Sequence, residues 1–147
     1  MSGKKSGSAK PIKVLYDGWP LAYPTAGERQ AALHICELLE ALPEAVEPWL
    51  ALPGEMTPGM NVAAQVITAP VAPSISGRLL WEQVRLPGLA RRVGAQLVHT
   101  TATSLPVFSP VPCLVSPVDS LSPLPNGRGV AGRLRESLGV AGLSSAA

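Results

Sequence analysis

Apolar positions along this chain fall into short blocks whose spacing changes from one block to the next. Residues 12–16, Ile-Lys-Val-Leu-Tyr, form an apolar run that stops at Asp17-Gly18, which suits a buried parallel strand ending in a turn. The stretch from Tyr16 to Gln30 carries the pairs Trp19-Pro20 and Tyr23-Pro24 and reads as a stiffened loop. Beyond it, Ala32, Ile35, Cys36, Leu39 and Leu42 recur at helical spacing, with Glu37, Glu40 and Glu44 on another face. Thr25 followed by Glu28 matches a capping box, so a helix with Thr25 as its N-cap is predicted.

The alternation then resumes. Residues 46–52 and 63–69 are strand candidates, separated by the glycine- and proline-rich stretch 53–61. A second helix is predicted from Ser76, with Leu79, Leu86, Ala90 and Val93 on one face. Arg78, Glu82, Arg85 and Arg92 lie on another, where Glu82 can pair with Arg78 or Arg85. Pro87 removes a backbone donor and predicts a kink or a break there. Residues 95–101 and 113–119 read as further strands, and a short final helix is expected within 129–139. This order argues for an α/β fold: a Rossmann-like three-layer sandwich around a mostly parallel sheet. In such a sheet ligands bind beyond the carboxyl ends of the strands. Those ends carry Asp17-Gly18, His99-Thr100-Thr101 and Asp119.

Composition narrows this picture. A length of 147 residues fits one core, and 46% apolar against 15% charged residues suffices to bury it. Six aromatics leave most of the filling to Leu, Val and Ala, and sixteen prolines point to short elements joined by defined loops. Residues 1–10 hold three of the four lysines and read as a disordered polar tail; without them the net charge of +2 becomes −1. The body therefore offers no basic face for nucleic acid. With no signal sequence and no apolar run long enough for a membrane span, a cytoplasmic location is expected. Cys36 and Cys113 lie 77 positions apart without metal-ligand spacing, so buried thiols are expected, and no metal site.

Candidate chemistry clusters at the predicted strand ends. Gly27 at the start of the first helix would let an anionic group approach the helix N-terminus, beside Glu28 and Arg29; a tight-turn glycine explains it equally well. His99, followed by Thr100, Thr101 and Thr103, has the chemistry to donate to or deprotonate a sugar-like hydroxyl, and a histidine bonded to a neighbouring carbonyl is the bland alternative. Asp119 would orient an acceptor hydroxyl or cap the following loop, while His34 belongs to the solvated side of its helix. The chain has neither a dinucleotide-binding glycine pattern, nor a phosphate loop, nor a nucleophile elbow.

Three blocks, residues 13–42, 78–123 and 132–138, together resemble the N-terminal half of a family 4 glycosyltransferase of the GT-B fold. The most specific part is the middle block: Leu-Trp-Glu-Gln at 80–83, Leu86-Pro87, the strand ending at His99, a proline-rich loop and a strand ending at Asp119. The resemblance spans residues 11–147. It implies retaining, metal-independent transfer of a sugar from a nucleotide-diphosphate donor to an acceptor hydroxyl, in a cleft between two Rossmann-like domains. No other cofactor is implied. This half would be the acceptor side, with Asp17, Gly18, Gly27, Glu28, Arg29, His99, Thr100 and Asp119 as substrate-binding residues. Two departures stand out: Val118 occupies a position where relatives commonly have His, and Trp19 one where Arg is frequent. The donor-binding half lies outside these residues, so the chain alone is expected not to catalyse transfer. The resemblance then implies a fragment, a subunit completed by a separate chain, or a degenerate domain; the alternative expectation is a non-catalytic Rossmann-like binding or partner module.

Overall fold

The computed structural model describes residues 9–25, 28–101 and 106–116. Five strands, β1 (Ile12–Asp17), β2 (Val46–Leu52), β3 (Gln65–Thr68), β4 (Leu97–Thr100) and β5 (Cys113–Val115), form one sheet in the order β3-β2-β1-β4-β5. Every neighbouring pair is parallel, so the sheet is wholly rather than mostly parallel among the described residues. β1 is central and its burial rises along the strand until both faces are covered. That is why its sequence reads as a continuous apolar run rather than an alternating one.

Among the described residues four α-helices flank the sheet: α1 (Trp19–Ala22), α2 (Arg29–Glu40), α3 (Ile75–Leu80) and α4 (Leu86–Val93). Side chains alternate across β1 and sort the core into two layers. Val14 and Tyr16 pack with Ala32, Ile35 and Leu39 of α2. Leu15 faces the other way, onto Trp81, Leu86, Leu89 and Ala90. Helices on both faces of a parallel sheet make the three-layer α/β arrangement expected from the sequence, and it is Rossmann-like in its strand order.

Several expectations are corrected. The stretch after Gly18 is not all loop, because Trp19–Ala22 form one helical turn with Pro20 in its first positions and Trp19, Pro20 and Leu21 buried. Thr25 is not a side-chain cap. α2 starts at Arg29 after Glu28, and the Thr25 hydroxyl donates to the Glu28 carboxylate at 3.2 Å instead. Glu28 is drawn towards Arg78, which keeps its carboxylate from closing the reciprocal half of a capping box.

Pro87 does not break the second helical region. Trp81–Arg85 form a π-helical turn joining α3 to α4, and the Leu86 N–H donates to the Trp81 carbonyl five residues back. The widened turn lets the chain pass the proline without a break. It also rotates the faces: Leu79 is exposed, whereas Glu82, assigned to the polar side, is buried.

β2 and β3 are joined without a helix. Residues 53–64 return along the α2 face, where Met56, Met60 and Val62 pack against the core in place of a helical stripe. Cys36 and Cys113 are unlinked thiols, both half-buried. No helix among the described residues is long and apolar enough to cross a membrane. The polar tail and the final-helix expectation fall mainly or wholly outside the described residues.

Candidate functional site

The strand order reverses between β1 and β4, whose carboxyl ends lie side by side, Tyr16 opposite His99. Two sets of polar residues meet there, one on each face of the sheet.

Asp17 ends β1 on the α3–α4 face and is buried. Its Oδ1 accepts from the Trp19 backbone N–H at 3.0 Å and from the Trp81 indole N–H at 2.9 Å, and its Oδ2 accepts from the Thr100 hydroxyl at 2.8 Å. Burial pushes the carboxyl above its usual range, against the pull of those three donors, and the nearby Glu82 adds to the rise. Sequence reasoning placed Asp17 and Thr100 together correctly, as strand-end neighbours. Their bonds are directed inward: they tie β1, α1, β4 and the π-helical turn to one another.

Beside this knot, Arg78 donates from Nε to Glu82 at 3.0 Å and pairs with Glu28 through Nη1. Its guanidinium lies 5.6 Å from the centroid of the Trp19 ring. The Arg78–Glu82 pair was readable from the four-residue spacing. Its extension across 50 positions to Glu28, and the stacking on Trp19, were not. This clasp fixes the entry to α2 against α3.

Gly18 has a different reason for being glycine than ligand approach. A Cβ there would lie 2.3 Å from the Ala51 carbonyl oxygen, so the end of β2 occupies the space a side chain needs. Trp19 lines no cleft edge; it is in the core, in edge contact with Tyr23 at 5.0 Å. The Tyr23 hydroxyl donates to the Val71 carbonyl at 2.7 Å, and Thr57 bonds the Leu21 carbonyl at 2.8 Å. The proline-aromatic stretch therefore plugs the carboxyl ends of β1, β2 and β3.

On the α2 face His99 is buried against Tyr16, ring centroids 5.3 Å apart, with its Nε2 2.8 Å from the Ser116 hydroxyl. Burial, helped by the charge of nearby His34, lowers its pKa to about 4. His34 is half-buried rather than fully solvated. A neutral imidazole of this basicity orients a hydroxyl well and accepts its proton poorly. Ser116 was missed because a lone serine after a strand carries no signal. Thr101, half-buried, follows directly.

Arg29 is exposed as the first residue of α2. Gly27, Thr103, Val118 and Asp119 lie outside the described residues. Among the described residues no group of three or more His, Cys, Asp or Glu could hold a metal ion. No protein-family model, curated protein or solved structure matches the chain.

Proposed function

We propose that this Rossmann-like unit is the acceptor-side domain of a sugar-transferring enzyme, acting with a second, donor-binding domain supplied by further sequence or another polypeptide. The observation that carries the reading is the pairing of His99 with Ser116 at the carboxyl edge of a doubly wound sheet, where the strand order reverses and ligands of such sheets bind. His99, Ser116 and Thr101 then orient an acceptor hydroxyl. With its low basicity His99 positions that hydroxyl, and the proton leaves to a group on the donor side. Asp17 and Thr100 hold the frame rather than the sugar. Glu28 and Arg29 flank the start of α2, on the side from which donor phosphates would approach.

The test is a titration of the chain followed through the His99 imidazole by NMR, with mono- and disaccharides as acceptors and a nucleoside diphosphate in parallel. Saturable shifts at His99 with saccharide and none with nucleotide are expected, together with no turnover of nucleotide sugars by this chain alone. Turnover by the purified 147-residue chain, or saturable binding of nucleotide without saccharide, overturns the acceptor-side assignment.

A second reading, a non-catalytic binding module, is favoured by one observation. Both oxygens of Asp17 are committed to structural bonds, and Arg78 is held by two carboxylates, so the charged groups of this edge serve the fold first.

A further inference from the structure

The α3–α4 side of the molecule carries more apolar surface than its core takes in. Ile75 and Leu79, then Leu80 and Val84, stand four residues apart and are all exposed, Ile75 at 94%. Val84 leads into a groove of about 480 Å³ between α4 and the segment 107–110, lined on the helix side by Pro87 and Gly88. Val107 and Phe108 rise at its rim, 77% and 85% exposed. The Gln83 side-chain carbonyl accepts from the Val107 N–H at 2.8 Å and holds that segment against the helix. A Cβ on Gly88 would meet nothing within 4 Å, so the groove is open there. Of the residues that line it, Arg91 is the one that is charged, and residues 106–116 carry no charge at all.

We propose that this face makes a two-fold contact with a second copy of the chain, in which Phe108 of each copy enters the partner's groove. Three properties select that occupant. The six exposed apolar side chains present on the order of 800 Å² per copy, which is what one side of a standard-size interface buries and more than the largest apolar patch of a typical monomer. The apolar stripe and residues 106–116 bear no charge, so two identical surfaces meet without repulsion at their centre. Knob and hole lie side by side on one surface, as reciprocal exchange across a two-fold axis requires. Arg91 beside the groove then meets the face of the entering ring rather than a second cation. The contact lies on the side of the sheet away from His99 and Ser116, leaves that edge uncovered, and holds whether or not the edge takes a sugar.

Sedimentation equilibrium of the full chain across micromolar concentrations is expected to move from 15.2 kDa towards twice that mass. Phe108→Ser, which removes the knob, and Gly88→Arg, which fills the groove, should each weaken association at least about tenfold. Neither disturbs the fold. Phe108 is exposed, Gly88 has room for a side chain, and arginine favours a helix more than glycine does, so circular dichroism spectra stay as they were. Leu33→Ser, at an exposed position of α2, should associate like the parent chain. An equimolar mixture of the Phe108→Ser and Gly88→Arg chains is the sharpest arm: the mixed pair regains one insertion and should associate more tightly than either variant alone. A chain that stays at 15.2 kDa at every concentration, variants that associate as tightly as the parent, an equal loss in Leu33→Ser, or a mixture no tighter than its components each overturns the proposal.

Discussion

Asp17 is the residue on which most of the carboxyl edge depends. Three donors from three elements converge on its two oxygens in a place that water does not reach. Asp17→Ala takes their shared acceptor from the Trp19 and Trp81 N–H groups and the Thr100 hydroxyl, and a buried donor that loses its acceptor costs about 1–3 kcal/mol. Relief from burying the charge offsets part of that, so a net loss of about 3 kcal/mol is expected in urea unfolding. His99 provides the pH-dependent test. The unfolded imidazole takes up a proton near 6.5 and the folded one only near 4. Between those values the unfolded chain binds the extra proton, so the contribution is complete above the unfolded pKa and disappears as pH falls through the folded one. It amounts to about 3 kcal/mol, and His99→Gln should flatten that part of the stability curve. At this scale the sequence was a partial guide. A carboxylate and a histidine at strand ends were visible as polar residues that needed a reason. Their partners were not, because Trp81 lies 64 positions from Asp17 and Ser116 lies 17 from His99.

Secondary structure was more legible than side-chain roles wherever one period dominated. β2 spans Val46–Leu52, the strand range expected from its apolar run, and Ala32, Ile35 and Leu39 of the expected α2 stripe are buried, while Cys36 is half-buried and Leu42 lies beyond the helix. Legibility failed where a local rule met a distant competitor. Thr25 and Glu28 fit a capping box by sequence, but Arg78 takes the glutamate. Ser74, which no sequence argument singled out, is the side-chain cap of α3: its hydroxyl accepts from the Gly77 N–H at 3.0 Å. The two serve as a matched pair. Ser74→Ala is expected to cost about 1 kcal/mol of unfolding free energy, while Thr25→Ala should change it by less than about 0.5 kcal/mol. A larger effect at Thr25 than at Ser74 would reverse the assignment of caps. Pro87 was legible as a kink or a break, and only the break fails: the π-helical turn before it absorbs the mismatch and buries Trp81 and Glu82 together.

For the whole molecule, the sheet has a strong middle and a weak flank. β1 is hydrogen-bonded on both sides and buried on both faces, whereas β3 is a four-residue edge whose residues are mostly exposed. The α/β class and the succession of elements along the chain followed from the sequence because alternating apolar runs and amphipathic stretches admit few layer arrangements; the order of strands across the sheet did not. The uneven cover did not, because residues 53–64 carry the punctuation of a turn and do the work of a helix. That substitution has a kinetic meaning. A loop packs fewer side chains than a helix and adds no hydrogen-bonded ladder of its own, so the β2–β3 flank should open without the rest. Backbone amides of β3 are expected to exchange with deuterium on the order of a hundredfold faster than those of β1. Met56 and Met60 pack from that segment onto the core, half-buried, so opening should speed their conversion to sulfoxides by peroxide and make two thioethers reporters of the motion.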